Sequence, residues 1–556
     1  MRLPWVFLFG ILLSCQLIDA QAPKKNTSSD IFHSIQKLNF LGSALYIAAH
    51  PDDENTRLIS YLSNEVKAKT AYLSLTRGDG GQNLIGSELR ELLGVLRTQE
   101  LLAARRIDGG EQFFTRANDF GYSKHPNETL KIWNKEEVLS DVVWIIRNFK
   151  PDVIINRFDH RSPGSTHGHH TSSAMLSYEA FDLTNNPNIY PEQLKSTEVW
   201  QPKRLFFNTS WWFYGSEDKF QKADKSKMID LDVGVYYPLR GVSNNEIASL
   251  ASSQHLCQGF GRLATRGSEN EYIELLKGDL PKDKSDIFDG INTTWSRVEG
   301  GETVGKILYE IERNFDFAQP SKHLPQLIEG YKAILKLQDG HWKEIKKKEL
   351  EDIIQSVCGL YLEATASESN TYPGSTIDIH IEALNRSNAN INLLTVSTGS
   401  DNSINKNIAL KENKKELFQI NLNVPSNKEY TSPYWLNSKG TTGMYMVKDQ
   451  NLIGKPETPH AFEVNFEMEF LGFTINIKKP IVYRYSKPEK GEIYQPFEIL
   501  PEATASFKDK VIIFANSEPK EIPVTIKALK DNVKGELQLC FGKGWKVDQE
   551  IKPFEI

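Results

Sequence analysis

The 556-residue chain is poor in cysteine, with only Cys15, Cys257, Cys358 and Cys540, and no two of them form a C-x-x-C pair. That excludes a zinc ribbon and a dense disulfide scaffold. Basic residues are not in excess: 66 Lys and Arg stand against 72 Asp and Glu, a net charge of −6. A nucleic-acid partner is therefore not expected, since such binders carry a basic excess or a basic stripe. Beyond residue 20 no apolar run approaches the ~20 residues that a membrane-spanning helix needs. The glycine-rich stretch Thr76-Arg77-Gly78-Asp79-Gly80-Gly81-Gln82-Asn83 lacks the Gly-Lys-Ser/Thr ending of a phosphate loop. What is present is 39% hydrophobic and 25% charged residues, enough to bury cores. At ~150 residues per domain, the length predicts three or four units.

The first twenty residues read as a targeting signal. Arg2 precedes an apolar run over 3–13, too short to span a bilayer and suited to a secretory signal. Two endings are open. Ile18-Asp19-Ala20 before Gln21 suits ordinary cleavage, whereas Leu12-Leu13-Ser14-Cys15 resembles a bacterial lipobox, with Cys15 as a lipid anchor. On either ending the protein is expected to be exported, to the periplasm, the cell surface or the medium.

Residues 30–270 alternate short β-like runs (44–49, 70–75, 112–115, 153–156 and 204–208) with helical patterns at 88–106, 136–149 and 172–181. This alternation predicts an α/β domain, a Rossmann-like parallel sheet with helices on both faces. Its ligand site belongs at the carboxyl ends of the strands. Residues 271–361 read as a helical extension. From 362 the texture changes to strict alternation, as in Thr376-Ile377-Asp378-Ile379-His380-Ile381, which predicts an antiparallel β-sandwich over 362–486. Residues 487–492 have linker composition, and 493–556 read as a partial or small second β domain.

The chemistry gathers at two strand ends. The first β-run ends in Ala49-His50-Pro51-Asp52-Asp53-Glu54. Pro51 stiffens the turn, and an imidazole beside a carboxylate offers two natural zinc ligands. The bland alternative is a surface turn of ordinary composition. After the fourth β-run come His160, His167, His169 and His170, four of the chain's 12 histidines within eleven residues. His160 and His169, each taken alone, read as members of a solvated polar loop. Two separate His/Asp groups at two strand ends point to a metal site. Two His and one Asp leave a coordination position open, the mark of a catalytic rather than a structural zinc.

With these residues in view, the chain resembles the LmbE-like, or PIG-L, zinc-dependent de-N-acetylases. The hallmarks are Ala49-His50-Pro51-Asp52-Asp53 and the later His167-Gly168-His169-His170, and the resemblance covers about residues 40–215. It implies that His50, Asp53 and His170 hold one Zn2+, or another divalent ion. It further implies that Asp52 is the general base and that His167 assists at the carbonyl oxygen. Arg97-Thr98-Gln99-Glu100 and Asp119-Phe120-Gly121 resemble family elements in which the Arg and Asp lie near the substrate. A plain helix salt bridge between Arg97 and Glu100 is the alternative. The family often has Pro-Asp between its two histidines, where this chain has Gly168-His169, so an acidic partner there is missing.

The expected function is removal of an N-acetyl group from an amino sugar or glycoconjugate by zinc-activated water. The alternatives are a zinc amidase cleaving another amide, or a non-catalytic exported glycan-binding protein. Trp211, Trp212, Phe213 and Tyr214 offer faces for a sugar, or an edge of hydrophobic core. Every candidate ligand and base precedes residue 171, so 1–270 is expected to hold the whole reaction and 362–556 only to target or position it.

Overall fold

The computed structural model describes residues 25–399, 403–509 and 511–556. The signal-like segment 1–20, with Cys15, lies outside them. The chain divides into two compact units: Asn26–Ile353 together with Pro433–Thr458, and Ile354–Ser432 together with Pro459–Ile556.

The first unit is built on a seven-stranded sheet. Its strands are β1 (Ser43–Ala48), β2 (Lys69–Ser74), β3 (Glu111–Phe114), β4 (Val153–Asn156), β5 (Arg204–Thr209), β6 (Met228–Asp232) and β7 (Asn270–Gly278), in the order β3-β2-β1-β4-β5-β7-β6. Strands β1 to β5 run parallel. β7 then pairs antiparallel with both β5 and β6. The expected parallel sheet is thus present and carries an antiparallel pair at one edge. β7 also shows that the region read as helical from 271 opens as a strand. The helices of that region follow later, as Gly301–Arg313, Leu324–Ile334 and Gly340–Val357.

β1 is buried at every position, as a central parallel strand covered on both faces must be. Its successive side chains feed two different cores. Leu45 and Ile47 join Val142, Ile146 and Leu176, whereas Ala44 and Tyr46 join Leu58, Leu62 and Leu101. The covering helices are α1 (Thr56–Asn64), α2 (Glu91–Asp108), α3 (Lys135–Phe149) and α4 (Gly168–Leu183). In α2 the apolar stripe misleads: Leu89, just before it, and Leu92 are exposed, and the buried face includes Arg97, Thr98 and Glu100. Polar groups occupy that face because they serve the loops above it.

Pro433–Thr458 belongs to this first unit, although it lies within the stretch read as a sandwich. This strap forms antiparallel bridges Phe114–Gly454 and Ala117–Met444 with the segment that begins at β3. Met444 and Ile453 enter the core cluster of Leu45. Trp144 Nε1 donates to Ile453 O at 3.0 Å, and Asn118 N to Gly443 O at 2.9 Å.

The second unit is an eight-stranded β-rich sheet, largely antiparallel. The fifteen-residue strand Phe473–Lys487 spans it. Its first half pairs with Glu463–Phe470, and its second half with Tyr361–Ala366 and Gly491–Pro496. Residues 487–492, read as a linker, form a tight hairpin in which Lys487 faces Gly491. Two smaller hairpins follow, Ala503–Phe507 with Val524–Ala528 and Lys534–Gln538 with Ile551–Glu555. No helix among the described residues is long and apolar enough to cross a membrane.

Candidate metal centre

β1 delivers its motif at the carboxyl edge of the sheet. The turn is closed locally: His50 N donates to Asp53 Oδ2 at 2.7 Å, and Asp53 N to His50 O at 3.3 Å. Asp52 has φ of 103°, a conformation that a side chain resists. It is held there by its own N–H, which donates to Glu54 Oε2 at 2.9 Å. Glu54 is fully buried and takes His255 Nε2 at 2.7 Å and Arg105 Nη2 at 3.2 Å on its other oxygen. The carboxylate of Asp52 has no hydrogen-bond partner among the described residues.

The second half of the site starts at the N-terminus of α4. His167 is the N-cap, and its Nδ1 accepts from His169 N at 3.1 Å. Its Nε2 lies 3.2 Å from Ser123 N, but a neutral ring can accept at only one of its two nitrogens. Gly168 explains part of the departure from the family pattern. Its N–H donates to Ser123 O at 2.6 Å, which a proline could not do. A Cβ there would meet Ser123 Oγ at 2.6 Å and His125 O at 2.8 Å.

His50, Asp53 and His170 converge. His50 Nδ1 lies 3.1 Å from Asp53 Oδ2, and His170 Nε2 lies 3.4 Å from Asp53 Oδ1. Their donor atoms all fall within 4.8 Å of one another. Ligands ~2.0–2.1 Å from a tetrahedral ion stand roughly 3.4 Å apart, so the spacing and the donor chemistry fit a divalent metal. A second donor group, His50 with His167 and His169, overlaps it. Its shortest edge, His50 Nε2 to His169 Nδ1 at 2.9 Å, has the length of a hydrogen bond rather than of two ligands on one ion.

His169 therefore takes the place in which an acidic residue was missed. It is fully buried, flanked by Trp133 and Phe120 with ring centroids at 4.6 and 4.5 Å, and it receives the far nitrogen of His50. Such a partner orients a metal-binding imidazole. The expectation of a solvated His169 is corrected: its ring is walled in by residues 119–133. His160 stands apart, stacked on Tyr178 at 4.0 Å.

The ionisation of the cluster is strongly graded. Burial alone would lower His50, but the charge and hydrogen bond of Asp53 raise it to about 9. Burial would raise Asp53, but His170 and His50 hold it well below the usual carboxylate range. Asp52, buried and beside the Asp53 charge, is pushed up to about 7. His170 is lowered to about 4, first by burial and then by the neighbouring rings and Arg157, against the pull of Asp53. His169 is lowered further, by burial and the three other histidines. His167 is lowered too, by burial and then His50, so a standing imidazolium is not favoured there.

Arg97 and Asp119 both lie against the glycine-rich loop. Arg97 is buried, donates to Gln82 O at 2.7 Å, and is roofed by the glycine-rich loop. A Cβ on Gly81 would lie 2.4 Å from its guanidinium. Arg97 and Glu100 do not pair; Glu100 accepts from Cys257 N at 2.7 Å. Asp119 Oδ1 accepts from Gly121 N at 2.9 Å and lies 3.8 Å from His169 Nδ1. The same loop is clamped by the strap. Arg77 lies between the rings of Trp435 and Phe114, 3.3 and 4.2 Å from their centroids. It donates to Pro456 O and Lys455 O at 2.9 and 3.1 Å, and Tyr445 Oη donates to Asp79 Oδ1.

The residues that sequence reasoning missed are His169, His255 and the strap pair Trp435 and Tyr445. His255 stands 201 positions from Glu54, so no local pattern could have announced it.

Residues 45–181 match the PIG-L family, described as GlcNAc-PI de-N-acetylase. That segment of the chain is a PIG-L domain. Among solved structures, the chain is similar to N,N'-diacetylchitobiose deacetylase from Pyrococcus horikoshii complexed with its inhibitor MPG. The identity is 20% and the TM-score 0.25, over 30% of this chain and 59% of that one. A second similarity, to an alkylpurine DNA glycosylase from Pseudomonas fluorescens, has 7% identity and a TM-score of 0.12, over 42% of this chain and 59% of that one. The chain thus spans 59% of the length of each. No curated protein matches.

Proposed function

We propose that the protein is a zinc-dependent hydrolase that removes the N-acetyl group from an amino sugar or glycoconjugate. The observation that carries this reading is the convergence of His50, Asp53 and His170 beside an Asp52 carboxylate with no partner of its own. His50, Asp53 and His170 are assigned as the ligands. When bound, the ion supplies a Lewis acid for the amide carbonyl and acidifies the attacking water.

The chain's own residues supply the rest. Asp52 accepts the proton of the water and returns it to the departing amine, so that the products are a free amine and acetate. Its raised basicity suits that exchange near neutral pH. His167 faces the carbonyl side and enters turnover as a neutral ring. Arg97 and Asp119 shape the wall on which the sugar rests, acting through the glycine-rich loop. The reaction is placed on an exported glycan because of the signal-like pattern over 1–20.

The test is acetate release from a panel of N-acetylated sugars by chelated and zinc-reconstituted protein. Zinc-dependent acetate from at least one sugar is expected. Metal binding without acetate from any of them would overturn the deacetylase reading.

A further inference from the structure

The Asp52 carboxylate owes its direction to a strained backbone, and the strain is held from a distant part of the chain. A φ of 103° is uphill for a residue with a side chain unless its surroundings impose it. That angle is set once the planar peptide unit between Pro51 and Asp52 is fixed, because φ is the rotation between this plane and the bonds of the Asp52 Cα. Both polar ends of the peptide are taken by side chains. Its N–H donates to Glu54 Oε2 at 2.9 Å, and its carbonyl, Pro51 O, accepts from Gln258 Nε2. Glu54 is held in turn by His255 Nε2, 2.7 Å from its other oxygen. Arg105 shares that oxygen at 3.2 Å but spends its shorter bond on Asp108.

His255 and Gln258 thus reach the two ends of one peptide bond from the two ends of one short turn. The turn, Leu256–Gln258, follows the helix Asn244–Ser252 and is itself anchored. Cys257 N donates to Glu100 Oε1 at 2.7 Å, and Leu84 N donates to Cys257 O at 2.9 Å. Thr56 Oγ1 donates to Ala248 O at 3.0 Å, which ties the helix to the start of α1. His255 and Gln258 are both buried, and each leaves its second polar atom, Nδ1 and Oε1, without a partner among the described residues. A buried polar atom left unpaired is a cost, so their own hydrogen bonding does not explain their placement. Each spends its one side-chain bond on the turn that carries Asp52. The bonds that close the ligand turn, between His50 and Asp53, do not involve the clamped peptide. Neither His255 nor Gln258 falls within residues 45–181, the span of the PIG-L match.

We propose that His255 and Gln258 are positioning residues for the hydrolysis: together they clamp the peptide bond before Asp52 and so aim its carboxylate at the water. This rests on the deacetylase reading. Without the clamp the peptide plane rotates, Asp52 relaxes to negative φ, and its carboxylate swings away while His50, Asp53 and His170 stay together.

The test measures zinc content, kcat and KM on an N-acetylated sugar for Gln258→Met, made in the wild type and in Asp52→Asn. Methionine keeps the length of the side chain and removes the donor. Zinc content is expected to stay at the wild-type level. In the wild-type background kcat is expected to fall about 10- to 100-fold with KM little changed, the scale of a misdirected group. In Asp52→Asn there is no carboxylate base to aim, and the same substitution is expected to cost less than about twofold. Equal losses in the two backgrounds, loss of zinc, or a wild-type kcat overturns the proposal. Should Gln258→Met not fold, His255→Leu takes its place in every comparison, and His255→Gln, which keeps a donor, is expected to recover most of the loss. Thermal unfolding keeps the two readings apart. Asp52→Gly and Asp52→Ala both lack the carboxylate, but only glycine adopts a left-handed φ freely. In the wild-type background Asp52→Gly is expected to melt a few degrees above Asp52→Ala, and in Gln258→Met that difference closes. If no sugar is turned over, the deacetylase reading fails. The clamp still stands if the melting difference closes, and it falls if the difference persists in Gln258→Met or is absent from the wild-type background.

Discussion

Asp52 and Asp53 are adjacent, carry the same side chain, and are driven in opposite directions. Asp53 is held ionised by His50 and His170, whereas burial and the Asp53 charge lift Asp52 to about 7. Asp53→Asn is expected to reduce metal content sharply. Asp52→Asn keeps the metal and loses roughly 100- to 10,000-fold in turnover, since an amide cannot take the water proton. Metal analysis paired with acetate release separates the two, and an Asp52→Asn variant at near wild-type rate would refute the assignment. His169 makes a different case, because it touches His50 and holds no metal in the proposed set. His169→Ala is expected to weaken zinc binding about 10- to 100-fold while the fold persists, as read by competition with a chelator. The convergence of His50, Asp53 and His170 was legible in the sequence because each lies in a short motif at a strand end. His169 was not, because loop composition hid a ring that three aromatic and charged neighbours bury from elsewhere in the chain.

The strand and helix pattern of the first unit was equally legible, because five parallel strands read as compact apolar runs. β7 was missed because its inward residues are few and a helical stretch follows it. The strap could not be read at all. Tyr445 and Asp79 are 366 positions apart, and nothing local in Pro433–Thr458 says which unit it joins. Its presence in the first unit means that residues 1–270 do not contain the whole of that unit. A chain ending at residue 361 lacks Trp435, Tyr445 and the carbonyls of Lys455 and Pro456. Arg77 then loses a stacking ring and two acceptors inside a core, at a cost of several kcal/mol. That chain is expected to be inactive and to melt well below the full-length protein by calorimetry; full activity on a small N-acetyl sugar would contradict this. Tyr445→Phe is the finer probe. It leaves the strap in place, strands the buried Asp79, and is expected to destabilise by about 1–3 kcal/mol in denaturant titration.

Over the whole molecule, stability also depends on charge buried far from the site. Lys37, at the end of the helix Ser28–Leu38, is half-buried, and its Nζ donates to Ser63 Oγ at 2.9 Å. Burial lowers its amine to about 8, below the unfolded value of 10.5. Between those values the unfolded chain binds the extra proton, so stability rises with pH across that window, and the penalty is fully present below it. Lys37→Met is expected to raise the Tm by a few degrees at pH 7, and the gain should shrink as the pH approaches 10. A gain independent of pH would show that packing, not ionisation, is responsible. The strap, finally, sets a schedule for synthesis. Lys455 O, which Arg77 needs, follows it by 378 positions. At roughly 5–20 residues per second, Arg77 waits on the order of 20 to 75 s on the ribosome for its acceptor. During that interval the nascent unit presents the bare apolar surface later covered by Met444 and Ile453. The α/β half of this protein therefore cannot finish before much of the β-rich half has been made. A chaperone binding the nascent chain would find its target in that interval.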